Sequence, residues 1–183
     1  RLCDAGLTPD ERPYFVMELV EGEPIDAAAR GRSVDERLQL FLQLADAVAY
    51  AHRQLLVHRD LKPSNVLVDR QGRVKLLDFG IAKALESGDT DALTTLLGQR
   101  PFTPHYASPE QVRGEPVGTG TDVYSLGVLL YQMLTGARPT GRLATTALEA
   151  ARCVLEDEPT RPSRLGAGEV TDPQWHHPRK RLA

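Results

Sequence analysis

Apolar residues near the beginning of the chain form one short, dense run. Residues 14–20 read YFVMELV, and this mixture of aromatic and β-branched side chains is typical of a buried strand. The run gives way to EGEP at residues 21–24, a sequence typical of a bend. The pattern therefore predicts a buried strand followed by a turn.

Helical spacing governs two longer stretches. Ser33 and Glu36 make a capping-box pattern, which predicts a helix that continues to about Arg53. Residues 122–134 are apolar around most of a helical circumference, and Gly136 is placed to end that helix, so we expect it to be central and buried. The apolar positions that support the first helix are Leu38, Phe41, Leu42, Ala45, Val48 and Ala49.

Shorter apolar runs lie between the two helices. We predict strands at 55–57, 66–68 and 74–77, the last two joined by a turn at 70–72. These strands frame a polar loop at 58–65.

The remaining stretches have weaker patterns. Residues 86–100 show no apolar period and are rich in Ser, Thr, Gly and Asp, which predicts a long loop and a candidate regulatory segment. A weaker helical pattern at 148–155 ends at Pro159. Residues 166–183 again lack an apolar period, so we expect a solvated or disordered tail there.

The composition is that of an ordinary soluble domain. Of the 183 residues, 41% are hydrophobic and 26% are charged, and the net charge of -3 gives no global basic signal for nucleic acid. The most apolar stretch, 123–134, is too short and too interrupted by polar residues to span a bilayer. Because Cys3 and Cys153 stand in no zinc-binding pattern, a reducing cytoplasm is the expected location.

Two motifs hold the residues suited to chemistry. The polar loop reads HRDLKPSN, and DFG follows thirteen residues after Asn65. Phosphoryl transfer needs a base beside the attacking hydroxyl, cations against the phosphates and oxygen ligands for magnesium. Any one of these residues alone would be interpreted as a turn former or a solvated charge, but their joint order favours catalysis. The candidate residues are Asp60, Lys62, Asn65 and Asp78.

Together with SPE at 108–110, these motifs resemble the bacterial branch of the eukaryotic-like serine/threonine protein kinases. The resemblance covers residues 1–165, from the family's fourth strand to about its helix G, and leaves 166–183 as an unmatched tail. It implies an incomplete α+β kinase-like fold: a mainly α-helical C-lobe with short β-strands around the catalytic loop, and an N-lobe that is largely absent.

The resemblance implies a role for each candidate residue. Asp60 would be the catalytic base, and Lys62 would contact the γ-phosphate of ATP. Asn65 and Asp78 would hold the Mg²⁺ ions that bridge the phosphates. Lys62 within LKPSN also implies serine and threonine hydroxyls of proteins as substrates, since tyrosine kinases have a different loop sequence there.

The same resemblance suggests where adenine would bind. The stretch MELV resembles the family's gatekeeper and hinge, in which main-chain groups of Glu18 and Val20 would hydrogen-bond adenine. A buried strand without any ligand would have the same sequence pattern.

Supporting roles are also implied. His58 and Phe79 would pack in an internal hydrophobic column, with Leu2 as a further member. Asp122 would lie against the backbone of the catalytic loop, because a buried carboxylate needs hydrogen-bond donors. Glu110 pairs in the family with an arginine beyond the matched residues, so we expect that pair to be missing.

The segment between DFG and SPE is expected to be regulatory. Thr103 resembles the family's substrate-facing threonine, although Phe102 stands where the family often has glycine. Arg59, next to the catalytic aspartate, marks control by phosphorylation in this family. The candidate acceptor residues are Thr90, Thr94 and Thr95.

Other parts of the family pattern do not occur in these 183 residues. The sequence has no GxGxxG loop, strand-borne lysine or helix C glutamate, and it opens at Arg1 on a strand-like stretch. We therefore expect a piece of a larger kinase domain. By itself it should show no phosphate transfer and should bind ATP no more tightly than about millimolar, because nothing holds the phosphates from the other side.

Two other functions fit parts of the pattern. A pseudokinase-like scaffold or protein-binding module would share the fold, but it would be expected to have lost at least one of the four candidate residues. An antibiotic phosphotransferase is disfavoured because such enzymes resemble the DFG and SPE segments poorly. The sequence therefore favours an ATP- and magnesium-dependent kinase acting on proteins.

Overall fold

The computed structural model describes residues 2–10, 13–77 and 104–165. Within these ranges the five strands are β1 (Leu2–Leu7), β2 (Pro13–Met17), β3 (Gly22–Pro24), β4 (Val66–Asp69) and β5 (Val74–Leu76). The same residues form five α-helices: α1 (Ile25–Ala29), α2 (Val34–Arg53), α3 (Pro109–Val112), α4 (Thr119–Thr135) and α5 (Ala147–Glu156).

The strands form two separate antiparallel sheets. β1 and β2 make a hairpin in which Leu2 lies opposite Met17. The predicted strand at 14–20 exists but ends at Met17, and its predicted burial is wrong, because Tyr14, Val16 and Met17 are 40%, 46% and 51% exposed. Among the described residues, no other strand pairs with this hairpin.

The second sheet has the order β3-β4-β5. The strands predicted at 66–68 and 74–77 are confirmed to within one residue, whereas the bend predicted at 21–24 is strand β3 instead. Glycine is required at Gly22, since a Cβ there would lie 2.7 Å from the carbonyl oxygen of Val68. The absence of a side chain at Gly22 lets β3 approach β4 closely.

The capping box predicted for α2 is confirmed. The Ser33 hydroxyl accepts from the Glu36 amide at 3.3 Å, and the Glu36 carboxylate accepts from the Ser33 amide at 2.8 Å. The helix ends at Arg53, as predicted, and Leu55 then takes a left-handed conformation with φ of 60°. That conformation costs a residue with a Cβ about 1–2 kcal/mol. Because the chain turns sharply there, residues 55–57 do not form the predicted strand.

Helix α4 is the central element of the core. It ends at Gly136, whose φ of 71° is the left-handed cap predicted from the sequence. The helix predicted at 148–155 is also present as α5. Helices α1, α2 and α4 and strand β4 bury one shared cluster, which includes Ile25, Leu40, Leu44, Val48, Val66, Leu129 and Met133.

These elements form a mainly helical unit with short strands beside the loop at 58–65, in agreement with the expected fold class. No helix among the described residues is long and apolar enough to cross a membrane. The predicted loop at 86–100 and the predicted tail at 166–183 lie outside the described residues.

Candidate active site

The loop at 58–65 begins with a buried histidine. His58 is 1% exposed, and its Nε2 lies 2.7 Å from the Leu77 carbonyl oxygen, while its Nδ1 accepts from the Asp60 amide at 3.3 Å. Because a carbonyl oxygen only accepts and an amide N–H only donates, Nε2 is the donor and Nδ1 the acceptor in these contacts. His58 is thus a hydrogen-bonded core residue, as expected from the sequence.

Asp122 at the start of α4 anchors this loop to the core. It is 1% exposed, and its carboxylate accepts from the amides of His58 at 2.8 Å and Arg59 at 2.9 Å. His52 at the end of α2 adds a third contact, with 2.7 Å between Nε2 and Oδ2. The expected position of Asp122 against the loop backbone is confirmed, and its burial is offset by three hydrogen-bond partners.

Arg59 holds an unusual conformation between two anchors. Its φ of 65° lies in the left-handed region, which costs a non-glycine residue about 1–2 kcal/mol. Its amide donates to Asp122, and its carbonyl oxygen accepts from Gln111 Nε2 at 2.7 Å. The residue directly before Asp60 is therefore fixed on both its peptide groups.

Asp60, Lys62 and Asn65 come together as predicted. The Asp60 Oδ2 atom accepts from Lys62 Nζ at 2.8 Å and from Asn65 Nδ2 at 3.1 Å. The Asp60 and Lys62 side chains are 40% and 26% exposed, so solvent and solutes reach both. Among the described residues, no donor contacts Asp60 Oδ1. One carboxylate oxygen is positioned by the protein while the other is available to a substrate.

The geometry of Asn65 fits a metal ligand. Its Nδ2 donates to the Asp60 carbonyl oxygen at 2.8 Å, which fixes the orientation of the amide and leaves Oδ1 as its accepting atom. An amide oxygen is a ligand that Mg²⁺ accepts in proteins. No group of three or more His, Cys, Asp or Glu side chains in the described part of the chain is arranged for a metal.

Asp78, the other predicted metal ligand, lies outside the described residues, but the residue before it is well placed. The Leu77 amide donates to the Asn65 carbonyl oxygen at 2.8 Å. The Leu77 carbonyl oxygen accepts from His58, as described above. Asp78 directly follows Leu77 in the sequence. The expected pairing of Asn65 and Asp78 as metal ligands stays a prediction.

The residues predicted to contact adenine lie elsewhere in the chain. Glu18 and Val20 follow β2 in an irregular connection that leads to β3. Leu19 between them is 85% exposed. The connection joins the hairpin to the sheet beside the catalytic loop, and the contact with adenine stays a prediction.

The SPE motif is fixed to the beginning of α4. Ser108 is fully buried and lies 3.2 Å from Thr121, with their hydroxyl oxygens facing each other. The Thr121 hydroxyl donates to Glu110 at 2.6 Å, and this hydrogen bond is the main cause that lowers the pKa of Glu110. The Glu110 carboxylate, for which the family resemblance implies an arginine partner, thus accepts from a threonine hydroxyl through one of its oxygens.

Several other sequence predictions fall outside the described residues. They concern the packing of Phe79, the substrate-facing Thr103 with Phe102 before it, and the phosphorylation sites at Thr90, Thr94 and Thr95.

Three contact residues of the site were not predicted from sequence: His52, Gln111 and Thr121. Only Gln111 had a local signal, since it stands three residues after Ser108 in the spacing of a capping box. That spacing predicts the bond to Ser108 but not the one to Arg59, which is 52 residues away.

Comparisons with known proteins point to one family. The family model described as protein kinase domain matches residues 2–172. The chain is 38% identical over 154 residues to a probable serine/threonine-protein kinase of Streptomyces coelicolor, covering 82% of this chain and 22% of that protein. It is 40% identical over 133 residues to the serine/threonine-protein kinase PrkC of Bacillus subtilis, covering 71% of this chain and 20% of that protein.

A third relative gives the same picture. The serine/threonine-protein kinase PknA of Mycobacterium tuberculosis is 42% identical over 129 residues, which cover 69% of this chain and 29% of that protein. The chain thus spans between about a fifth and a third of the length of these curated relatives.

Proposed function

We propose that this chain, which belongs to the protein kinase domain family, forms the catalytic part of an ATP-dependent serine/threonine protein kinase. The observation that carries the proposal is the Asp60 carboxylate, which Lys62 and Asn65 hold through one oxygen only. A substrate hydroxyl can approach the other oxygen from solvent, because the side chain is 40% exposed. Positioning of this kind supplies most of the rate in phosphoryl transfer.

Asp60 and Lys62 take complementary roles in the reaction. Asp60 orients the hydroxyl and accepts its proton as the oxygen attacks phosphorus. Lys62 Nζ lies 2.8 Å from Asp60 Oδ2, so it places a positive charge beside the proposed base, where it would stabilise the transferred phosphate. The same ion pair keeps the Asp60 side chain in one orientation before the substrate binds.

Asn65 and Asp78 would hold the magnesium ion. The proposal is supported by Leu77, the residue before Asp78, whose amide donates to the Asn65 carbonyl oxygen at 2.8 Å. When bound, Mg²⁺ neutralises charge on the phosphates of ATP. The main-chain groups of Glu18 and Val20 would bind adenine at the connection between the hairpin and β3.

The proposed substrates are proteins that present serine or threonine hydroxyls, in line with the names of the relatives. We place the reaction in the cytoplasm, where ATP is abundant. Neither Cys3 nor Cys153 forms a disulfide, which suits that reducing compartment.

The test is transfer of labelled phosphate from Mg-ATP to a serine peptide. Because these 183 residues contain no glycine-rich loop, the assay uses the chain fused behind the nucleotide-binding lobe of the Bacillus subtilis relative. Asp60→Asn should lower kcat by at least about 10²-fold, the usual contribution of a general base. The free energy of unfolding should stay nearly constant, since the amide oxygen still accepts from Lys62 and Asn65.

Asp46→Asn is the matched control, because Asp46 is exposed on α2, outside the catalytic loop. It should leave kcat unchanged. Transfer at the wild-type rate in Asp60→Asn would contradict the catalytic assignment. A fused protein that binds Mg-ATP but transfers no phosphate would instead favour the pseudokinase-like scaffold.

A further inference from the structure

We propose that Gln111 is a positioning residue that sets the orientation of Asp60, an inference that rests on the proposed kinase function. Gln111 lies in α3, directly after the SPE motif. Its Nε2 donates to the Arg59 carbonyl oxygen at 2.7 Å, and its Oε1 accepts from the Ser108 amide at 3.0 Å. Both ends of the carboxamide are therefore used, and the identity of each partner fixes which end is nitrogen.

The accepting carbonyl belongs to the peptide group that joins Arg59 to Asp60. Its direction sets the backbone torsion that precedes Asp60, and hence where the carboxylate points. Arg59 is in the left-handed region with φ of 65°, a conformation that persists only where surrounding contacts impose it. Asp122 fixes the amide of Arg59, whereas Gln111 fixes its carbonyl.

Helix α3 is itself fixed to the core, so the contact between Gln111 and Arg59 can hold the loop in position. Thr121, at the beginning of α4, contacts both Ser108 and Glu110, with oxygen distances of 3.2 Å and 2.6 Å. Gln111 therefore connects a helix docked on the core to the strained residue beside the proposed base. The catalytic loop would respond to the conformation of the SPE segment through this single side chain.

A purely structural role as a helix cap is the alternative, and one substitution separates the two. Gln111→Glu retains a side-chain oxygen that can accept from the Ser108 amide. Glu36 and Glu149 make the equivalent contact with the N-cap amides of α2 and α5. It has no N–H for the Arg59 carbonyl and places a carboxylate oxygen against it. Gln111→Ala removes both contacts. Glu36→Ala is the matched control, since it removes the corresponding cap contact at the beginning of α2.

The first measurement needs no activity and uses the 183-residue chain. We expect Gln111→Glu to speed hydrogen exchange of the Arg59 and Asp60 amides by about tenfold or more, because their peptide groups lose one anchor. The Val112 amide, which donates to the Ser108 carbonyl within α3, should be unaffected in that variant. Glu36→Ala should leave all three amides unchanged.

The second measurement uses the fused kinase described above. Gln111→Glu should lower kcat about tenfold while the KM for ATP stays within about twofold, because the base and not the nucleotide site is displaced. Unchanged exchange at Asp60, or a kcat within about twofold of wild type, overturns the proposal. Failure of the kinase assignment is recognised separately, since Asp60→Asn would then retain transfer whatever the exchange of Gln111→Glu shows.

Discussion

The β1-β2 hairpin and the loop at 58–65 are held in very different ways. In the hairpin, Tyr14, Val16 and Met17 are between 40% and 51% exposed, and the strands pair with each other. In the loop, His58 and Leu61 are each 1% exposed, and the backbone is tied to buried groups of other elements. The hairpin is apolar but exposed, whereas the loop is mostly polar and is anchored by buried residues.

The difference separates two parts of the proposed function. The residues proposed for phosphate chemistry lie in the loop that the helical core fixes through Asp122. Residues proposed to bind adenine, Glu18 and Val20, follow the exposed hairpin. Substitutions in the core should therefore change both stability and catalysis, while those in the hairpin should leave the stability of the helical unit almost unchanged.

The largest effect is expected at Asp122. Asp122→Ala leaves the amides of His58 and Arg59 and the ring of His52 without their acceptor, and unpaired buried donors cost about 1–3 kcal/mol each. We expect the free energy of unfolding in urea to fall by about 3–5 kcal/mol. Asp122→Asn, which retains one carboxylate-like oxygen, provides a milder variant if the alanine form does not fold.

Asp46→Ala is the control for this prediction, since Asp46 is exposed on α2. It should change stability by less than about 0.5 kcal/mol. A loss below about 1 kcal/mol in Asp122→Ala would mean that the loop is held by other contacts, and the contrast with the hairpin would then fail.

The chain has two methionines, one in the core and one in the hairpin, so the same substitution can be compared in both regions. Met133 on α4 is fully buried, so Met133→Ala should cost about 2–5 kcal/mol through lost burial and the cavity that remains. Met17 in the hairpin is 51% exposed, so Met17→Ala should cost less than about 0.5 kcal/mol. Urea unfolding of both variants gives the two values, and equal losses would show that the hairpin is as tightly integrated as the core.

Whether a feature of the fold could be predicted from sequence depends on how far apart in the chain the interacting residues lie. Helices α2 and α4 were predicted because apolar spacing and caps such as Ser33 and Gly136 are local features. The burial of residues 14–20 was wrongly predicted, since the sequence of a strand does not show what covers it. The prediction of a strand at 55–57 failed because the left-handed turn at Leu55 has no sequence signal. Leucine is uncommon in the left-handed region.

The candidate site divides in the same way. Asp60, Lys62 and Asn65 fall within six residues of one loop, so their proximity followed from spacing. The bond between Gln111 and Arg59 joins residues 52 positions apart, and the bond between His52 and Asp122 joins residues 70 apart. Such pairs depend on how helices pack, which no local pattern encodes.

Burial also affects the titration of His105, a partly buried histidine in the helical unit. Among the described residues, its buried Nδ1 atom has no hydrogen-bond partner. Burial first, and the nearby Arg138 guanidinium second, lower the pKa of this ring from its usual 6.5 to about 4. A proton taken up by the folded protein would place a cation in a desolvated position close to another cation.

The sign of the pH dependence follows from that lowered pKa. Between pH 6.5 and 4 the unfolded chain binds a proton at His105 that the folded protein does not, so the contribution present above pH 6.5 is lost as pH falls towards 4. Allowing for partial exposure of the ring, we expect about 1 kcal/mol to disappear between pH 7 and pH 5. His105→Gln cannot titrate at this position. Its free energy of unfolding should therefore differ from that of the wild type at pH 7 by a constant amount and should fall less steeply between pH 7 and pH 5. Urea unfolding at the two pH values measures this, and parallel declines in both proteins would mean that the imidazole is more solvated than its surroundings indicate.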